Sequence, residues 1–393
     1  MSVRWTFAVA LLAQLFLGVA CIQIVGLPDV PDLLVTTDAQ SVSDAGDPIR
    51  PDGRPASSDA NVVDGSLAED GSTLDAGVAD ADPDVLDCNA PAAASCAGPG
   101  ATGVSDCGNG SESCCTSCLV SGGETTFRVG TSAAPATVST FRLDRYEVTV
   151  GRFRRFIAAR LPPTLYLPPP GSGKHTHLNG GNGLASEFSP GQYEPGWNRS
   201  VADLGPPPTA ASLGSTTEDT WRSGNDKRPI NFVTWSAAYA FCIWDGGFLP
   251  SVAEWIYAAT GGGEKRRYPW GATDPGENNQ YAIFGRKLSD AGNYEQISTV
   301  GFAALGAGRF GQMDLAGNLY EWTLDFWNNG YAPSCTDCVS ATNFGAYEQR
   351  LVRGGDYGTA KGDLVMTPPT FGNGGEDLNQ SRSYIGFRCA RTP

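Results

Sequence analysis

No Phe, Tyr or Trp occurs between Ile22 and Asp87, a stretch made mostly of Asp, Ala, Ser, Gly, Val and Pro. It holds fifteen acids against only Arg50 and Arg54, so it carries −13 of the chain's net −15. Such a segment buries too little apolar surface to offset the entropy lost on ordering, and its like charges extend it. Residues 22–87 are therefore expected to be a disordered acidic linker, whose charge says nothing about a basic ligand for the remainder. Beyond the linker the composition inverts. Nearly all the aromatic residues lie between Phe127 and Phe387, a span of roughly 270 residues that is ample for one large core. The 50 Gly and 27 Pro point to a loop-rich fold rather than a helical bundle. No stretch is basic enough to track a nucleic-acid backbone, so that class of partner is not expected.

The chain opens with Arg4 and the apolar run "WTFAVALLAQLFLGVA", followed directly by Cys21. A charged start and a short apolar centre are the layout of a signal peptide, and the run is too short for a comfortable membrane span. Its end, "LGVAC", resembles the lipobox of bacterial lipoproteins, in which the cysteine is lipidated and becomes the mature N-terminus. Residues 1–21 are thus expected to be a signal peptide. Cys21 would anchor the chain to a membrane as an outer-membrane lipoprotein, facing the periplasm or the cell surface. An ordinary cleaved signal peptide is the other reading, and it too implies export.

Ten further cysteines, an even number in an exported chain, favour disulfides. Six of them crowd into residues 88–118: Cys88, Cys96, Cys107, Cys114, Cys115 and Cys118. A Cys-rich segment over 88–122, poor in core-forming residues, would be held by up to three bridges of open connectivity. Its CxxC, Cys115 to Cys118, also admits zinc or redox chemistry, although no His lies near it. Cys335 and Cys338 in "SCTDC" are expected to form a small loop-closing bridge. Cys242 and Cys389 remain, and their pairing would staple the C-terminus to an internal helix.

Within residues 123–393, "STFRLD" alternates as a strand does, and Thr149 is placed to cap a helix whose Val150, Phe153, Phe156 and Ile157 share one face. Thr234 can cap a second helix that Gly246 and Gly247 end. Ser251 and Glu254 form a capping box for a third. The blocks "DRYEVTVGRFRRF", "RPINFVTWSAAYAFC", "GGFLPSVAEWIYAATGG", "YPWG", "DLAGNLYEWTLDFW", "LVRGG" and "IGFRCAR" follow one another in an order that resembles the formylglycine-generating enzyme family, also called sulfatase-modifying factors. The resemblance covers about residues 125–393. It implies an α+β, C-type-lectin-like fold with little regular secondary structure, and a bridge between Cys242 and Cys389.

The resemblance also implies a calcium site in "DLAGNLYE", from the Asp314 and Glu321 carboxylates and the Gly317 and Leu319 carbonyls. A hard cation takes several oxygens of that kind. Active members of the family continue the Arg-Gly-Gly strand with Ser and then two cysteines that bind copper(I), a soft ion that selects thiolates. Here the Ser position is Asp356, and the cysteine positions fall at Thr359 and Leu364. No cysteine lies between Cys338 and Cys389, so copper is not expected at this strand.

The function expected first is a non-catalytic or re-purposed binding domain for a protein, peptide or glycan. The long insertion from Leu161 to Arg228, with Trp197 and Trp221, would be one recognition surface, or equally mere decoration of the fold. A tailoring enzyme acting on a different substrate is the alternative. Asp356 beside Arg353 could then serve acid–base chemistry, or could simply make an ion pair or cap a turn. His175 and His177 in "KHTHLNGG" could contribute to a metal site or sit in an ordinary exposed loop. A third reading keeps formylglycine generation, with thiols borrowed from the 88–118 cluster.

Overall fold

Side-chain caps decide where the three helices begin. The computed structural model describes residues 86–108, 110–129, 132–160, 166–187, 189–199, 218–222, 224–286, 294–327, 334–341, 348–366 and 375–393. The expected signal peptide, Cys21 and the expected linker as far as residue 85 lie outside these described residues. In α1 (Val150–Arg160), Thr149 Oγ1 accepts the Arg152 amide at 3.2 Å. In α2 (Trp235–Trp244), Thr234 Oγ1 accepts the Ala237 amide at 3.2 Å. In α3 (Val252–Ala259), Ser251 Oγ accepts the Glu254 amide, and the Glu254 carboxylate accepts the Ser251 amide in return. Each cap satisfies an otherwise orphaned donor and stabilises its helix by about 1 kcal/mol. Helix α1 turns Val150, Phe153, Phe156 and Ile157 inward, onto Phe241 of α2 and Phe387.

The strands are short: β1 Cys88–Asn89, β2 Ser117–Val120, β3 Gly123–Val129, β4 Ser132–Val138, β5 Phe141–Asp144, β6 Ala185–Ser186, β7 Tyr320–Phe326, β8 Cys335–Thr336, β9 Cys338–Val339, β10 Gln349–Arg353, β11 Gly375–Asp377, β12 Ile385–Gly386 and β13 Ala390–Arg391. One sheet has the order β1-β2-β5-β13, a second β11-β10-β7-β12 and a third β3-β4-β8, while β6 pairs with β9. Connections over the surface outweigh regular elements, giving the loop-rich α+β architecture that the family resemblance implied. Strand β5 pairs with the last strand through Ala390↔Leu143 and with the Cys-rich segment through Cys118↔Leu143. The segment over 88–122 is therefore built into the same sheet as the chain's C-terminus.

Disulfides join Cys88 to Cys118, Cys96 to Cys115 and Cys107 to Cys114, which settles the connectivity left open by the sequence. The CxxC cysteines each bond elsewhere. Cys242 of α2 bonds Cys389 with a Cα separation of 5.4 Å, as expected. Cys338 is also disulfide-bonded, while the side chain of Cys335 lies outside the described residues.

Beneath these bridges sits a buried square of charge. Arg152 of α1 donates to Asp144 at 3.0 Å and to Asp245 at 2.6 Å, and Arg391 of β13 reaches the same two carboxylates at 3.0 and 2.7 Å. Ser95, from the Cys-rich segment, adds its amide to Asp245 at 2.6 Å and accepts from Arg152 Nε at 2.9 Å. Burial would raise the Asp245 carboxyl, but the two guanidiniums outweigh it and hold it below the usual carboxylate range.

The described part of the 161–228 insertion is structural. Trp197 is buried among core residues that include Leu178 and Leu184. Trp221 packs edge-on against Phe153 and lies under the Arg154 guanidinium at 4.4 Å. Both tryptophans thus pack inward, and residues 200–217 of the insertion lie outside the described residues. His175, also expected in an exposed loop or at a metal, is fully buried. Its Nδ1 meets Glu194 at 2.9 Å and its Nε2 meets Glu254 of the α3 capping box at 3.1 Å. Both ring nitrogens are thus spent on carboxylates, and the imidazole ties the insertion to the start of α3. His177 instead stacks on Phe248, 5.9 Å away.

Burial alone would depress the His175 pKa, but Glu194 and Glu254 outweigh it and lift it from 6.5 to about 10. A histidine raised in the fold contributes stability fully below its unfolded value of 6.5, and that contribution is lost as pH rises through about 10. Replacing His175 with Leu leaves two buried carboxylates uncompensated and should cost about 3–5 kcal/mol near neutrality. Chemical denaturation from pH 6 upward measures this. The gap between wild type and His175→Leu should narrow towards pH 10; a constant gap would mean the ring is not held as an imidazolium.

Candidate functional site

Strand β10 ends in Arg353, and the next two residues turn the chain in a way only glycine allows easily. Gly354 and Gly355 hold φ of 104° and 75°. A Cβ on Gly354 would come within 3.3 Å of the Trp255 ring and close to the Leu315 and Leu319 carbonyls. The tight bend presents a loop at residues 356–364, the place where the family resemblance puts its reactive groups.

That loop is closed on itself. The Asp356 amide donates to Thr359 Oγ1 at 2.8 Å, while Asp356 Oδ1 accepts from Thr359 Oγ1 at 2.9 Å and from the Gly358 amide at 3.0 Å. Asp356 is therefore a turn cap, the plainer of the roles open to it, and it makes no ion pair with Arg353. The Arg353 side chain is buried, and its Nη1 reaches the Val352 carbonyl. Burial pushes the Asp356 carboxyl up, against the hydrogen bonds of its own turn. Thr359 thus spends its hydroxyl locally. Leu364 is fully buried among Tyr268, Ala282, Phe284 and Ala316, so it faces core rather than a cleft. These residues do not fit a copper(I) site: no thiolate is available at either position, and one position is not presented to a ligand.

A cleft of about 390 Å³ lies against this loop, lined by Glu277, Asn279, Phe284, Arg286, Glu295 and Gln296. Backbone bonds from Gly285 to the Thr359 carbonyl and from Arg286 to the Tyr357 carbonyl hold its wall to the loop. Its charges are already engaged. Arg286 donates to the Gln296 carbonyl and to Ser298, and Glu277 pairs with Lys361 at 3.1 Å.

The expected calcium positions meet a different arrangement. Both Glu321 oxygens accept from Arg388, at 2.6 to 3.0 Å, and Oε2 also accepts from Trp255 Nε1 at 2.8 Å. Asp314 Oδ2 accepts the Gly301 amide at 2.6 Å. The Gly317 amide donates to the Gly354 carbonyl, and the Leu319 amide donates to Glu147. The Arg388 guanidinium thus engages both oxygens of Glu321, one of the two carboxylates expected to hold calcium. Among the described residues no group of three or more His, Cys, Asp or Glu side chains could hold a metal ion.

Glu147, which sequence reasoning missed, completes this cluster. In "DRYEVTV" it sits in an ordinary strand-to-helix stretch, with no signal that it will be fully buried against Asn318 at 2.6 Å. Three buried carboxylates then face the Arg388 guanidinium. Glu147 is pushed well above its usual range, first by burial and then by Asp314 and Glu321. Asp314 is raised to about 6, chiefly by burial, against the Gly301 amide and Arg388.

A carboxyl raised in the fold ionises less readily there than in the unfolded chain, so its contribution to stability falls as pH rises from 3.8 through about 6. Asp314 also holds a φ of 58°, which Asn adopts readily. Asp314→Asn should keep the Gly301 bond, flatten that decline and leave the protein more stable than wild type at pH 7. Melting curves from pH 4 to 8 test it, and a less stable variant at pH 7 would mean that the negative charge is needed there.

A sequence model of the sulfatase-modifying factor enzyme 1-like domain matches residues 107–393. The formylglycine-generating enzyme of Mus musculus is 29% identical over 165 residues, 41% of this chain and 44% of that protein. The enzyme of the same name from Streptomyces coelicolor is 31% identical over 172 residues, 43% of this chain and 54% of its own length. Hercynine oxygenase of Mycobacterium tuberculosis is 29% identical over 196 residues, 45% of this chain and 43% of that protein. The chain spans about half the length of these curated relatives. Among solved structures, PvdO from Pseudomonas aeruginosa aligns with a TM-score of 0.45 at 19% identity, over 75% of this chain and 99% of that one. With the domain match running from the Cys-rich segment to the last residue, the chain belongs to the sulfatase-modifying factor enzyme 1-like family.

Proposed function

We propose that this chain is an exported, lipid-anchored member of its family that has exchanged oxidative chemistry for binding. The observation that carries the reading is the loop after Gly355. Thr359 caps its own turn and Leu364 fills core, at the two positions where the family resemblance places copper-binding cysteines. The cysteines of the 88–118 cluster do not supply the missing thiols, because all six are in disulfides. What remains is a rigid scaffold, stapled by Cys242–Cys389, that presents loops on the end of an acidic spacer. Fold alone does not name the ligand.

Incubation of the purified chain with a sulfatase-type cysteine peptide, copper(I) and oxygen should leave the peptide mass unchanged, beside an active family member as positive control. Conversion of the peptide cysteine to formylglycine would sink the binding reading.

The lipid anchor rests on "LGVAC" and is tested separately. In a bacterial host that processes lipoproteins, the chain should appear in the membrane fraction, and Cys21→Ser should release it to the soluble exported fraction. Equal membrane retention of the variant would refute lipidation at Cys21.

A further inference from the structure

A second cleft lies away from the loop at Asp356, between the β3–β4 hairpin, strand β8 and the glycine-rich turn that follows α3. Its volume is about 480 Å³, within the range of small-molecule sites. Six polar residues line it: Glu124 and Thr125 of β3, Thr137 of β4, Ser334 and Thr336 at β8, and Lys265 beyond the turn. Among the described residues, none of these six side chains makes a hydrogen bond or an ion pair. The contrast with the 390 Å³ cleft is direct, since there the arginine and the rim glutamate are already held by protein partners.

The unspent groups have a pattern. One carboxylate and one ammonium line the same cleft from different walls and do not pair across it, so its lining is neutral overall but polar from end to end. A ligand with one net charge would be attracted at one wall and repelled at the other, whereas a ligand with a positive and a negative end meets both. The hydroxyls of Thr137 and Thr336, which share the Glu124 face of the hairpin, and of Ser334 supply donors and acceptors in either sense, which is what a peptide group needs. The apolar part of the lining is small, Pro135 and Ala136, and gives room for small side chains only. Lys265 holds a φ of 53°, a left-handed conformation that a residue with a Cβ seldom adopts and that persists only where its surroundings impose it.

We propose that this cleft binds a short zwitterionic peptide, with its ammonium end on Glu124, its carboxylate on Lys265 and its peptide group among the hydroxyls. The proposal does not depend on the reading of the loop at Asp356. Calorimetric titration of the full chain with the dipeptide alanyl-alanine tests it, beside the same dipeptide acetylated at its amine or amidated at its carboxylate. The free dipeptide should bind saturably. Each blocked form should bind at least about tenfold more weakly, the loss expected for one charge-assisted hydrogen bond. Glu124→Gln should reproduce the loss at the ammonium end and Lys265→Ala the loss at the carboxylate end. Both side chains are exposed, so the melting temperature should not move with either change. No saturable binding of the free dipeptide would overturn the proposal. So would binding that the blocked dipeptides and both variants retain.

Discussion

The buried square of Asp144, Asp245, Arg152 and Arg391 is the constraint on which the rest of this domain depends. It draws on the end of β5, the cap of α2, the first turn of α1 and the last strand, and through Ser95 it holds the Cys-rich segment as well. Two positive and two negative groups out of water are not in themselves a source of stability, because desolvation offsets most of their attraction. What they impose is specificity. Any arrangement that parts one member leaves a buried charge without a counterion, so the five segments either meet in this register or do not pack. The Cys242–Cys389 bridge and the three N-terminal bridges then fix covalently an assembly that the charges already select.

Next to the square, Arg388 lies parallel in role to Arg391 but in a richer acidic setting. Its guanidinium also donates to the backbone carbonyls of Asp144, Arg145 and Met313, which locks β5 and the loop before β7 to the C-terminal segment. With Glu147, Asp314 and Glu321 all buried beside it, this cluster carries more carboxylate than guanidinium and resolves the excess by raising pKa values. The square is balanced and the cluster is not. That difference makes the loop before β7, with Asp314 raised to about 6, one pH-sensitive part of the fold beside the buried His175. The Gly354–Gly355 bend is packed against the same region through Trp255. Core packing therefore fixes this bend independently of what the loop beyond it carries.

Local features were legible where one short stretch contains both partners of an interaction. Thr149, Thr234 and the Ser251–Glu254 box cap helices as read, because capping joins residues three positions apart. Cys242–Cys389 followed from counting and from the family pattern. The blind places share a property: the deciding partner is distant in sequence. His175 reads as a loop histidine until Glu194 and Glu254 close on it from 19 and 79 residues away. Glu321 likewise finds its partner far along the chain, with Arg388, 67 residues on, donating to both its oxygens. An insertion rich in Pro, Gly and Asn gives no hint that Trp197 will be buried in the core or that Trp221 will pack on Phe153.

The sequence by itself determined the compositional break near residue 88, the helix starts, the family and the absence of any cysteine between Cys338 and Cys389. Each of these is a matter of residue identity or of neighbours along the chain. Only the tertiary structure decided the three N-terminal bridges, the role of Asp356 as a turn cap, the burial of Leu364, the seating of His175 between Glu194 and Glu254 and the uncommitted polar groups between Glu124 and Lys265. Whether a polar side chain is spent or free depends on what folds against it, and in a fold built more from loops than from repeating elements no periodicity carries that information.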